Sequence, residues 1–211
     1  NRLRKEIQDV QARLEAANAL LREEGEVKKR LLTAETNRAL FEQLDRDMER
    51  RITSLARLIN TLPEVEDPRG LTAYITLCLC HIKRRCNLFF LARQGEPLPG
   101  DELSMYLDEL AELARYGGVN TLIRCGKVGA LKLRGAALCY DFAFETISWT
   151  LREKATPLMG YLNAEGAQLV FRFLPGGDPG QWRFSQELVA AVTALGGQIA
   201  CKDLDGAYGI C

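Results

Sequence analysis

The chain has no surplus of charge of either sign, since 28 Lys and Arg balance 28 Asp and Glu over 211 residues. That leaves no reservoir of cations for neutralising phosphates along a duplex, and bulk nucleic-acid binding is not expected. No apolar run approaches the roughly 18 residues of a membrane span, and no signal peptide is visible. Histidine is nearly lacking. His81 is the one imidazole, so any Ser/His/Asp or Cys/His nucleophile arrangement would have to share it, and none is recognisable. CxxC pairs are lacking too. The seven cysteines, Cys78, Cys80, Cys86, Cys125, Cys139, Cys201 and Cys211, sit mostly among apolar neighbours and read as small buried hydrophobes in a reducing cytoplasm. A metal site from Cys78, Cys80, His81 and Cys86 is disfavoured, because C-x-C-H on a helix splays its ligands around the axis.

What is present is the material for a core. The chain is 47% hydrophobic and 27% charged, a composition that folds rather than staying disordered, into one domain or two small ones. It opens at Asn1 inside a helical pattern without an initiator Met, which reads as a fragment whose upstream part could include membrane helices.

Leu3, Ile7, Val10, Leu14, Ala17 and Leu21 alternate steps of four and three between charged residues, a heptad seam. The phase is lost between Glu23 and Lys29, around Gly25, and returns at Phe41, Leu44, Met48, Ile52, Leu55, Ile59 and Leu62. A stutter or short break is expected there. So narrow a stripe needs a partner helix, most economically the same helix of a second subunit. The expectation is a homodimer, the alternative a long surface helix packed on its own domain.

Pro63 ends this helix, and a turn leads to a new helix near Asp67 and Pro68. Residues 71–93 read as a core helix with Leu71, Ile75, Cys78, Ile82 and Phe89 inward. Residues 94–100 form a Pro/Gly loop, and Asp101 is the expected N-cap of a third helix carrying Leu103, Leu107, Leu110 and Ala114. Gly117-Gly118 ends it. This is a helical hairpin, and two copies would make a four-helix bundle. After short mixed elements in 119–133, a helix is predicted over about 134–154. Strands are expected at 158–163 and 169–174 around the turn at 164–167, then a helix at 185–195 and a strand at 198–202. A turn at Asp205-Gly206 precedes a last strand at 207–211. The predicted class is α+β, with a coiled-coil signalling helix (1–62), a helical hairpin (63–118) and a small α/β sandwich (119–211).

A heptad helix, a hairpin with a His near the middle of its first helix, and an α/β sandwich, in that order, resemble the cytoplasmic core of a sensor histidine kinase. His81-Ile82-Lys83-Arg84-Arg85-Cys86-Asn87-Leu88, followed by Tyr106-Leu107-Asp108-Glu109-Leu110, is similar to the dimerisation and phosphoacceptor hairpin of the quorum-sensing type. The helix around Glu145, the strand hairpin and Leu195-Gly196-Gly197-Gln198-Ile199 resemble the ATPase domain shared with gyrase and the Hsp90 chaperones.

The resemblance implies that His81, on the exposed side of a bundle, is the phosphoacceptor, with Arg84 and Arg85 on its face to meet a phosphoryl group or an acidic receiver. Ile82 stands where the family commonly has an acidic helper. The bland alternative is a structural, partly buried imidazole. The nucleotide site departs further. Glu145, Asp178 and Gly180 are the implied cofactor-binding residues, yet Trp149 takes the place of the Asn that helps hold Mg²⁺. Asp178-Pro179-Gly180 is followed by Trp182 where a second Gly is expected, and also reads as an ordinary turn. Gln181 to Phe184 leave no room for a lid. The expectation is a degenerate ATPase-like domain with no cofactor, and ATP with Mg²⁺ as its ligand if the site works after all. Trp149 and Phe142 read as core residues, and the Lys83-Arg84-Arg85 cluster as a solvated patch.

The reading that results is a cytoplasmic signal-transduction protein of the two-component type, a dimeric histidine kinase-like core with impaired or absent ATP binding and a receiver domain as partner. The alternatives are a phosphorelay histidine phosphotransferase, resembling the sporulation phosphorelay protein, and a non-catalytic dimeric scaffold.

Overall fold

The computed structural model describes residues 2–65, 68–166, 168–178, 180, 183–203 and 208–210. Of the positions singled out above, Asp67, Ala167, Pro179, Gln181, Trp182, Asp205, Gly206, Ala207 and Cys211 lie outside the described residues. So do the side chains of Leu3 to Ala17, Phe41 and Leu44. The chain divides into two compact units, Asn1–Ile52 and Thr53–Cys211.

From Arg2 onwards the first unit is helical and belongs to α1 (Arg2–Thr61). The helix runs unbroken through Gly25, which overturns the short break and not the stutter. A helical glycine costs about 1 kcal/mol against Ala, and the strong helix formers on either side outweigh it. Lys28 pairs with Glu24 at 2.8 Å and Arg38 with Glu42 at 3.1 Å, i,i+4 contacts worth a few tenths of a kcal/mol each. Leu20, Leu21, Val27, Leu31 and Leu32 remain exposed.

The second unit begins with the last turns of α1, where Leu55 is buried. After a 3-10 turn at Leu62–Glu64, α2 (Pro68–Gln94) and α3 (Gly100–Tyr116) form the expected hairpin. α3 buries Leu103, Leu107, Leu110 and Ala114 as its spacing predicts. Its N-cap position is Pro99 rather than Asp101, which falls in the first turn and favours the helix dipole from there. α2 turns a different arc inward from the one predicted. Ala73, Leu77, Cys80, His81 and Leu88 are buried along with Ile75, whereas Leu71, Cys78, Ile82 and Phe89 are only half-buried. The first half of the helix, Leu71 to Cys80, is apolar almost all round, so periodicity could not choose its face; contact with both α3 and α4 does.

The hairpin loop is tied down. Leu98 and Leu131 exchange backbone hydrogen bonds at 2.9 and 2.8 Å, and a Cβ on Gly100 would lie 2.0 Å from the Val128 carbonyl oxygen. Only glycine permits that approach.

β1 (Thr121–Cys125) leads through α4 (Leu133–Glu153) to the parallel strand β2 (Leu158–Glu165). β2 turns back into β3 (Gln168–Pro175) in an eight-pair antiparallel register. After α5 (Gln186–Thr193), β4 (Cys201–Asp203) and β5 (Tyr208–Ile210) complete a five-stranded mixed sheet of order β1-β2-β3-β5-β4. The last two strands are shorter than expected. The architecture is α+β, helical hairpin plus α/β layer, as the sequence order predicts.

α4 is the middle of this unit. Tyr140 and Phe144 face α2, while Phe142 meets Phe171 and Phe173 of the sheet and Phe184 before α5. Two of its buried hydroxyls turn back on the helix, Thr146 donating to the Phe142 carbonyl and Thr150 to that of Ile147. Its less buried side is the stripe Arg134, Leu138, Asp141, Glu145 and Arg152, and the rest of its surface is mostly apolar and buried. Among the described residues, no helix is long and apolar enough to cross a membrane.

Candidate functional site

His81 is placed by α2 at its junction with α4 and is 2% exposed. Its Nε2 lies 2.8 Å from Asp141 Oδ1. The ring stacks on Phe144, centroids 3.9 Å apart and planes 22° from parallel, and on Tyr140 at 5.5 Å and 6°. The exposed imidazole that the resemblance implied is therefore an interior one, because α4 lies over the face of α2 on which it sits. A buried imidazole needs a polar partner, and Asp141 supplies it.

Asp141 escaped the sequence reading. Its signal was a carboxylate in the apolar run Tyr140-Asp141-Phe142, a residue type rarely buried without a partner. The cations beside His81 are also engaged. Arg85 Nε reaches the same Asp141 oxygen at 3.3 Å. Arg84 pairs with Glu109 of α3 at 2.8 Å and lies 4.2 Å from the centroid of the Tyr106 ring. Tyr106 donates in turn to Glu102. Burial, with the Glu102 carboxylate beside it, pushes the Tyr106 phenol up to about 12. Burial drives the Tyr140 phenol far above its ordinary range and raises the Cys80 thiol that touches it at 3.6 Å.

The residues aligned with a nucleotide site divide between two places. At the C-terminal end of α4, Trp149, Arg152, Lys154 and Thr156 line an open cavity of about 750 Å³ together with Gly176, Asp178 and Gly180. Trp149 is 4% exposed and packs as core, as Phe142 does. Asp178 Oδ1 accepts from the Gly180 N–H at 2.6 Å, closing the turn at a glycine of φ +56°. Glu145 is elsewhere. Its carboxylate accepts from the Ser185 N–H at 2.8 Å and from the Ser185 hydroxyl, and that hydroxyl accepts from Leu188 N–H at 3.2 Å. Glu145 thus fastens the N-terminus of α5 to α4.

The fit to Mg²⁺-nucleotide is poor on these observations. A hard cation wants oxygen ligands. Trp149 offers none, both Glu145 oxygens are committed to Ser185, and Asp178 is turned into its own loop. Among the described residues, no group of three or more His, Cys, Asp or Glu side chains could hold a metal ion, the Cys78, Cys80, His81 and Cys86 grouping included.

No protein-family model matches the chain, and no curated protein matches it. Solved structures do. The histidine kinase domain from the Erythrobacter litoralis EL346 blue-light activated histidine kinase is 12% identical, with 80% of this chain and 90% of that one covered and a TM-score of 0.46. A bacterial phosphotransferase is 11% identical over 79% of this chain and 90% of that one, TM-score 0.43. The histidine kinase ThkA, solved in complex with the response regulator protein TrrA, is 11% identical over 81% of this chain and 59% of that one, TM-score 0.39. The chain is thus similar to histidine kinase domains over about four fifths of its length, at low identity.

Proposed function

We propose that the chain is a two-component signalling protein, a dimeric histidine kinase-like core in which His81 is the phosphoacceptor and ATP binding is impaired or absent. The observation that carries this reading is the clasp on the one imidazole of the chain. With Nε2 held by Asp141 at 2.8 Å and the ring between Tyr140 and Phe144, its access is set by whether α4 rests on α2. A regulated phosphoacceptor needs such a guard. The committed Glu145 and the indole of Trp149 support the degenerate nucleotide site. The heptad seam supports a homodimer, and a receiver aspartate is the natural exchange partner of a phosphohistidine, in the cytoplasm.

Histidine phosphotransfer between receivers is a second reading, favoured by the same Trp149, because it needs no ATP. There the imidazole nitrogen attacks phosphorus, an N–P bond forms, the P–O bond of the acyl phosphate breaks and the receiver carboxylate leaves. Asp141 must first release His81 Nε2. In a non-catalytic scaffold no transfer occurs.

The test is incubation of the full chain with a phosphorylated receiver and, separately, with Mg-ATP. Label that appears from the receiver and is lost in His81→Gln supports transfer. Label from ATP would overturn the degenerate nucleotide site, and no label from either source would leave His81 a structural residue. Light scattering that finds a monomer at tens of micromolar would count against the seam.

A further inference from the structure

The sheet face turned away from α4 carries a registered pattern that nothing above uses. Leu122 of β1 pairs with Met159 of β2, and Met159 with Leu174 of β3. These three side chains stand in one line and are 48%, 51% and 38% exposed. Tyr161 stands in the neighbouring row between Arg124 and Arg172. Phe173 opposes Ile210 and Lys202 opposes Gly209, which carries the Leu174 row on to the exposed Lys202 at the far edge. Arg172 is paired with Glu165 at 2.7 Å. Among the described residues this leaves Arg124 at one edge and Lys202 at the other, with the apolar row between them.

The same unit carries the complement. On α3, opposite the buried stripe Leu103, Leu107, Leu110 and Ala114, the residues Asp101, Met105, Asp108 and Glu112 follow at steps of four, three and four. All four are exposed, Met105 by 61%. The two faces carry opposite sign, and each has an apolar centre. The dimensions agree. Four strand spacings of about 4.8 Å put Arg124 and Lys202 roughly 19 Å apart across the sheet. Eleven rises of about 1.5 Å put Asp101 and Glu112 roughly 16 Å apart along the helix. Long Arg and Lys side chains close the difference.

We propose that the outer face of the sheet docks the acidic face of α3 from a second copy of this chain, with Met105 seated on Leu122, Met159 and Leu174 and carboxylates at Arg124 and Lys202. Each copy carries both faces, so the contact can be reciprocal about a two-fold axis. It uses neither the heptad seam nor His81, and it stands or falls independently of the function proposed above.

The test is sedimentation of the full chain together with carbodiimide cross-linking of mixed light and heavy isotope-labelled chains. Lys202 should join Asp101, Asp108 or Glu112 of the other isotope. Association through this contact should weaken with added salt, and by roughly tenfold or more in Arg124→Glu/Lys202→Glu and in Asp108→Lys/Glu112→Lys. An equimolar mixture of the two defective variants should recover the wild-type association, because every reversed face then meets a reversed partner. Four outcomes would overturn the proposal: Lys202 linkages only within one chain, association indifferent to both reversals, no recovery on mixing, or a sheet face that binds single-stranded nucleic acid while the chain stays unassociated.

Discussion

His81 and Asp141, sixty residues apart in the chain, meet at 2.8 Å at the junction of α2 and α4. The pair joins the helical hairpin to the α/β layer by a polar contact beside those of Arg85 with Asp141 and Cys80 with Tyr140, and Asp141 satisfies a ring nitrogen that burial takes from water.

Asp141→Ala is therefore expected to lower the unfolding free energy by about 1–3 kcal/mol, the cost of a buried donor left without its acceptor. Urea denaturation measures it. In the same variant His81 should react faster with diethyl pyrocarbonate, because the guard on the ring is loosened. A variant of unchanged stability whose imidazole remains as protected as in the wild type would show that the pair is incidental.

The Glu145–Ser185 clasp predicts coupling. Ser185→Ala removes both a helix N-cap and a ligand of Glu145, and should cost about 1 kcal/mol. Glu145→Gln should cost less, since an amide oxygen still accepts one bond. A double-mutant cycle between Glu145→Ala and Ser185→Ala should give an interaction energy of about 1 kcal/mol, and additive effects would refute the clasp.

Trp149 is predicted to be structural at the edge of its cavity. Trp149→Ala should destabilise by about 3–5 kcal/mol, as large-to-small changes of buried aromatics do. Trp149→Asn, which restores the family's ligand type, should not restore micromolar Mg-ATP binding in calorimetry, because Glu145 and Asp178 remain engaged elsewhere. Binding at that level would make Trp149 the one obstacle.

Stability should fall at alkaline pH. The Tyr106 phenol lies near 12 against an ordinary 10, chiefly through burial, and burial likewise takes the Cys139 thiol from 9 to about 12. Between the ordinary and raised values the unfolded chain has released protons that the folded chain keeps. Stability is thus fully present below pH 9 and is lost as pH rises towards 12. Unfolding midpoints across that window check it, and Tyr106→Phe should flatten the upper part. At pH 8.5, iodoacetamide should modify the exposed Cys201 well before Cys139.

The order of elements was legible from the sequence because it rests on local signals. Gly117-Gly118, the turn before Gln168 and the apolar span of α4 fixed ends that the structure moves by only a residue or two. Leu103, Leu107, Leu110 and Ala114 were legible as an inward stripe because the opposite side of α3 is acidic. The inward arc of α2 was not, since the first half of that helix is apolar on nearly every side and gives no phase. The site was half legible. His81 and Trp149 stand out by type, but Asp141 on His81 and Ser185 on Glu145 are long-range pairings that no spacing along the chain encodes. The exposed position implied for His81 failed for the same reason, as the covering helix lies sixty residues downstream.

α4 meets water only along the stripe Arg134, Leu138, Asp141, Glu145 and Arg152. A residue on a wet face can be made bulkier or smaller and swing outwards, but the rest of α4 has no such slack. A change of volume at Phe142, on the sheet side, must be answered at Tyr140 or Phe144, on the hairpin side, or the helix shifts against both neighbours. Substitutions along α4 should therefore be accepted in compensating pairs, and homologous sequences should vary there together across the thickness of the helix rather than one position at a time.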